Sequence, residues 1–176
     1  MTRVLVIGNG ATGKTTFSER LAARIGLEVH HLDGMAWRAG WQRVPEDEFE
    51  ASLTKVLASP RWIIDGVAYP QHIPERIERS DTVIFIDYSL PRIYWWALKK
   101  EIRYAFRQRP EMPAGTPEWK ITWRLFKIIW KIHFGVRAEW IALVTRAAET
   151  GKTVHHFRRP RETQKFLEGL TQPRPL

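Results

Sequence analysis

An apolar run, Val4-Leu5-Val6-Ile7, leads directly into Gly8-Asn9-Gly10-Ala11-Thr12-Gly13-Lys14-Thr15, and no other stretch limits the fold as strongly. The run is short and continuous, the pattern of a strand covered on both faces. The octet fits G-x-x-x-x-G-K-[ST], in which glycines let the backbone bend tightly and turn its N–H groups around a phosphate. A helix opening near Lys14 aims its positive end at the same anion. Lys14 is then placed to reach β- and γ-phosphates, and the Thr15 hydroxyl to sit on Mg²⁺. The expected nucleotide-binding residues are Gly8, Asn9, Gly10, Ala11, Thr12, Gly13, Lys14, Thr15 and Thr16, with ATP and Mg²⁺ as cofactors.

Strands are expected at residues 4–7, 28–32, 61–64, 82–87 and 152–157. Helices are expected at 14–25, 45–59, 75–79, 91–106, 118–132, 137–150 and 160–170, with a loop over 35–44. In the first helix Phe17, Leu21 and Ile25 recur at four-residue spacing, and Gly26 is a natural stop. Strands alternating with helices argue for an α/β three-layer sandwich: a parallel sheet of about five strands with helices on both faces.

A chain of 176 residues is one domain with a real core. With no cysteine, disulfides and thiolate metal sites are excluded. No apolar stretch approaches the ~18 residues of a membrane span, and the start lacks the charged and apolar regions of a signal peptide. The cytoplasm is the expected location. The net charge of +9 suits polyanions: nucleotides, nucleic acid or an anionic membrane surface.

In an open α/β sheet ligands bind beyond the carboxyl ends of the strands. Asp33, Asp65 and Asp87 stand at those ends. Asp65 is expected to face the phosphate loop and hold Mg²⁺, directly or through water, together with Thr15. Asp33 is the candidate to orient an attacking hydroxyl and take its proton. For both, the alternative is a turn aspartate capping its own backbone. Asp87 is expected to cap the helix that follows it.

From Arg92 to Lys131 there are ten Lys and Arg against three acids, with Trp95, Trp96, Trp119, Trp123 and Trp130 among them. Arg103, Arg107 and Arg109, beside a proline-rich loop, are expected to close over the phosphates as a mobile lid. A basic aromatic face of this kind also serves to grip nucleic acid or to rest on a membrane. The expectation for the tryptophans is plainer: a stripe packed on the core, with the charges in water.

Trp62-Ile63-Ile64-Asp65-Gly66 resembles the apolar-Asp-Gly segment of adenylate kinases and related small kinases. The fuller set adds His31-Leu32-Asp33 followed by Trp37 and Gly40-Trp41, Arg76 before residues 81–87, and residues 107–112. Over nearly the whole chain it resembles the adenylate-kinase-related topology modulation (FlaR-like) proteins. That resemblance implies one P-loop kinase domain over residues 1–176, with an acceptor-binding segment at 34–60 and a lid with helical insertion at 103–135. It also implies Arg159 near the adenine. After Gly66 the chain reads Val67-Ala68-Tyr69-Pro70, without the Phe-Pro-Arg that handles an acceptor nucleotide in adenylate kinases. The family label implies an effect on DNA, yet no DNA-reading motif is present.

The expected activity is ATP-dependent phosphoryl transfer to a small molecule, nucleoside or nucleotide. Lys14, Asp33, Arg76, Arg103, Arg107 and Arg109 are the expected catalytic residues. The rival reading is an ATP-binding regulator that contacts DNA through its basic surface.

Overall fold

The structure, a computed structural model, describes residues 1–104 and 122–170. Arg107 and Arg109, Trp119, and much of the expected lid lie outside the described residues. In chain order the elements are β1 (Arg3–Gly8), α1 (Lys14–Ile25), β2 (Val29–His31), α2 (Leu32–Ala36), β3 (Trp37–Arg38), β4 (Gln42–Arg43), α3 (Glu46–Ala58), β5 (Trp62–Asp65), α4 (Ile73–Arg79), β6 (Thr82–Ile86), α5 (Leu90–Tyr104), α6 (Thr122–Lys131), α7 (Arg137–Glu149), β7 (Thr153–Phe157) and α8 (Pro160–Gly169).

Five strands form one parallel sheet in the order β2-β5-β1-β6-β7. β1 lies at its centre, and its side chains alternate between two cores. Leu5 and Ile7 join Phe49, Trp62, Ile64, Phe85 and Trp140 on the face covered by α3, α4 and α7. Val4 and Val6 join Phe17, Leu21, Ile63, Ile84 and Leu167 on the face covered by α1, α5 and α8. This is the α/β three-layer arrangement expected of the alternating pattern. All five expected strands are present within a residue or two of their expected bounds.

Two carboxylates fix strand ends. Asp81 Oδ2 accepts from Thr2 N at 2.8 Å, Thr2 Oγ1 at 2.6 Å and Arg3 N at 2.8 Å, anchoring the start of β1. Burial alone would raise its pKa, but these bonds and the one from Thr82 outweigh burial and hold it down at about 2. Asp87 follows β6 and does not cap α5 as expected. It accepts both Arg137 Nε at 2.7 Å and Arg137 Nη2 at 2.8 Å, and lies 2.9 Å from His156 Nε2. Burial pushes its pKa up, while the hydrogen bonds and charges of Arg137 and His156 push it down further, so it sits below its ordinary value. A guanidinium brought by the start of α7 offers two charge-assisted bonds, more than capping a single helix end supplies.

The expected loop at 35–44 is partly ordered: α2 continues directly from β2, and β3 and β4 form a two-stranded antiparallel hairpin. Trp96 packs partly buried against the core as expected, but the other described tryptophans of the stretch face outward. Trp95, Trp123 and Trp130 are exposed, Trp123 by 80%, whereas Ile129 is fully buried. The face of α6 that packs carries Leu125, Phe126 and Ile129. A Cβ on Gly10 would meet Leu125 Cδ1 at 3.1 Å and Ile129 Cγ1 at 3.4 Å, so α6 lies close over the phosphate loop. A π-helical turn, Ile132–Val136, joins α6 to α7.

Candidate active site

The loop after β1 is shaped by its glycines. Gly8 has φ +155°, and a Cβ there would fall 2.3 Å from Ile86 O on the neighbouring strand, so no side chain fits. Gly13 is left-handed at φ +80° and forms the N-cap of α1. Ala11 also has positive φ, at 56°, an uncommon state for a residue with a Cβ. Asn9 braces the loop with its side-chain amide. Its Oδ1 accepts from Gly10 N at 2.7 Å, and its Nδ2 donates to Ile129 O of α6 at 2.9 Å. Its own carbonyl accepts from Thr12 Oγ1 at 2.9 Å and Lys14 Nζ at 2.7 Å.

Strand register brings the next groups together. Asp65 pairs with Val6 on one side and His31 on the other, so the ends of β1, β5 and β2 coincide. Thr15 Oγ1 donates to Asp65 Oδ2 at 2.9 Å, and His31 Nδ1 lies 3.0 Å from the same oxygen. The second oxygen, Asp65 Oδ1, is buried without a hydrogen-bond partner. A buried carboxylate oxygen left without a donor is costly, and a cation or its bound water satisfies it. Thr15 and Asp65 therefore fit Mg²⁺.

A cleft of about 920 Å³ runs from this loop to the β3–β4 hairpin. Gly8, Gly10 to Thr16, Asp33 and Asp65 line it, as do Trp96, Lys99, Lys100 and Arg103 of α5 and Arg124, Leu125, Ile128 and Lys131 of α6. Asp33 is exposed in the first turn of α2. At the far end, Trp37 and Trp41 meet edge to face at 5.6 Å. Arg43 lies over the Tyr69 ring at 4.1 Å and near Trp37 at 5.5 Å.

Of the expected site residues, the glycine loop, Lys14, Thr15, Thr16, Asp33, Asp65 and Arg103 come together in the cleft, and Asn9 braces it. Arg76 does not. It is fully buried, and its guanidinium donates to His72 O at 2.9 Å, Gly66 O at 3.3 Å, and Val67 O and Tyr69 O at 2.8 Å each. Burial lowers its pKa to about 10, still well above neutral. The catalytic role expected of Arg76 gives way to a structural one: it clamps the loop after Asp65. Arg159 is exposed at the start of α8 and lies outside this cleft. Sequence reading missed Arg43, His31, Trp96 and the cleft-facing role of Arg124 and Lys131. The helix pair was legible, since 124, 128 and 131 share one face of α6, as do 96, 100 and 103 of α5.

The central parallel sheet, the glycine loop at the end of β1 and the carboxylate at the end of the adjacent strand define the P-loop kinase fold. Among solved structures, a shikimate kinase from Bacteroides thetaiotaomicron is similar with a TM-score of 0.53 at 16% identity, covering 95% of this chain and 94% of that one. A sugar kinase from Janibacter sp. has a TM-score of 0.47 at 16% identity, covering 96% and 94%. The likeness to the shikimate kinase, at such identity, speaks for the fold alone. No family model and no curated protein matches the chain.

Proposed function

We propose that the protein is an ATP- and Mg²⁺-dependent kinase that phosphorylates a small acceptor. The observation that supports this most is the meeting of Thr15 and Asp65 at the foot of the loop that carries Lys14, with Asp65 Oδ1 left unpartnered. The backbone N–H groups of residues 8–15 would bind the phosphates of ATP. One proton of the Lys14 ammonium is held by Asn9 O, which leaves two for phosphate oxygens. Mg²⁺, when bound, neutralises charge on the β- and γ-oxygens; Thr15 and Asp65 are the residues that would hold it.

Asp33 would accept the proton of the acceptor hydroxyl as that oxygen attacks the γ-phosphorus and ADP departs. Arg103, Lys131 and, from outside the described residues, Arg107 and Arg109 would stabilise charge on the transferring group. Leu125 and Ile128 of α6 would keep water from competing with the acceptor. On this reading residues 1–176 are one kinase domain, 34–60 bind the acceptor and 103–135 form the lid and helical insertion. The motif set shared with the topology modulation proteins supports placing the chain beside that group, working in the cytoplasm where ATP is made available.

The test is an ADP-release screen over nucleosides, nucleoside monophosphates and small hydroxylated metabolites, with calorimetry of Mg·ATP alongside. Acceptor-stimulated release is expected in the native chain. Absence of ATP binding would overturn the assignment; a slow background ATPase would not count in its favour.

A further inference from the structure

We infer that the acceptor carries a compact oxyanion, a phosphate monoester or a carboxylate, besides the hydroxyl it offers to Asp33, and that Arg43 and Arg124 hold that oxyanion. The inference rests on the kinase reading for the identity of the acceptor, but the anion site stands on its own geometry.

Arg43 belongs to the β3–β4 hairpin and Arg124 to α6, yet both guanidinium carbons lie 5.5 Å from the centre of the Trp37 ring. Both residues line the cleft. Among the described residues neither has a carboxylate partner; the one hydrogen bond of Arg43 is to Ala68 O at 3.2 Å. By contrast Arg38, on the same hairpin, pairs with Glu48, and Arg137 with Asp87. Two like charges gathered at one indole repel, and an anion between them relieves that repulsion. Stacking against aromatic rings fixes a guanidinium plane while leaving its N–H edge free, the edge that matches phosphate or carboxylate.

The phosphates of ATP do not account for this pair. Residues 8–15 follow β1 at the centre of the sheet, whereas the hairpin follows β2 at its edge, with β5 between them. The two ends are nevertheless in register, because Leu125, next to Arg124, abuts Gly10 of the phosphate loop. An acceptor gripped by Arg124 is thereby held at a set distance from the nucleotide, the positioning that phosphoryl transfer requires.

The test begins with the full chain saturated with a non-hydrolysable ATP analogue and Mg²⁺, then titrates inorganic phosphate and acetate by calorimetry. Saturable binding of one anion is expected, phosphate marking a phosphate-monoester acceptor and acetate a carboxylate. Arg43→Gln and Arg124→Gln should each weaken it at least tenfold with melting temperature retained. Lys127→Gln, which removes an exposed cation outside the cleft, should leave it unchanged. No saturable binding of either anion, binding unchanged in Arg124→Gln, or equal weakening by Lys127→Gln would overturn the inference. Failure of the analogue to bind would instead remove the kinase assignment, and the anion titrations on the unliganded variants would still read the arginine pair. In the acceptor screen, the anionic member of a pair such as glycerol 3-phosphate against glycerol, or glycerate against glycerol, should be used and the neutral one not. Equal use of the neutral member would also count against it.

Discussion

Thr15 Oγ1 donates to Asp65 Oδ2 across 2.9 Å, linking the first turn of α1 to the end of β5. The bond exists because β5 pairs with β1 so that Asp65 stands beside Val6, two residues before the phosphate loop begins. Asp65→Asn keeps the shape of the side chain and removes its charge. The Mg²⁺ concentration for half-maximal activity is expected to rise at least tenfold and kcat to fall about 100-fold, a loss of ~2.7 kcal/mol of transition-state stabilisation. ADP release measured against Mg²⁺ concentration checks this, and an unchanged Mg²⁺ dependence would remove Asp65 from the metal site.

Lys14→Ala is expected to lower kcat by about 100- to 1,000-fold, since one cation at the transferring phosphate is worth roughly 3–4 kcal/mol. Among the described residues its hydrogen-bond partner is the Asn9 carbonyl, so the melting temperature should stay within a few degrees. Turnover equal to that of the native chain would exclude the lysine from the chemistry.

Arg76→Ala acts on stability. Four backbone carbonyls lose a buried donor, and a cost of about 3 kcal/mol or more is expected in denaturant unfolding. Arg103→Ala is the contrast: exposed in the cleft, it should leave unfolding unchanged and lower turnover. If Arg76→Ala were as stable as the native chain, the clamp after Asp65 would have no energetic role.

Acid should undo the two strand anchors. The folded pKa of Asp81 lies at about 2 against an ordinary 3.8, and that of Asp87 is also below 3.8. A depressed carboxyl contributes its stability in full above the unfolded value and loses it as pH falls through the folded one. For Asp81 the loss therefore runs between about pH 4 and pH 2. Unfolding free energy measured across that window should fall steeply in the native chain and more gently in Asp81→Asn, which starts lower at neutral pH. Parallel pH profiles for the two proteins would contradict the assignment.

The two faces of α6 should respond in opposite ways. Ile129→Ala, at a fully buried position, is expected to cost about 2–4 kcal/mol. Trp123→Ser, at a position 80% exposed, should stay within about 0.5 kcal/mol. Reversed costs would mean that the tryptophans pack inward after all.

What could be read from the sequence divides by range. β1 and the glycine loop were legible because a continuous apolar strand, three glycines and a lysine are local requirements of one turn. Asp65 was legible because a strand end in a parallel sheet is a place set by topology. Arg76 was expected among the charges at the phosphates, but an arginine in a short helix gives no sign of its partners, and only the folded segment 66–72 shows four carbonyls converging on it. The face of α6 was misread for a related reason. Tryptophan is apolar enough to be expected inside, but the side chains that α6 sets against Gly10 are Leu125 and Ile129, a contact between residues more than a hundred positions apart. Arg43 and Arg124 are likewise joined only by Trp37, and no spacing along the chain announces it.

The amide of Asn9 reaches out of the turn and grips the carbonyl of Ile129 overhead. The phosphate loop and α6 are thus tied together by one bond. Exchanging the second residue of the octet would therefore loosen the helix as well, whereas position 129 supplies this contact with its main chain and so places no demand on its own side chain here.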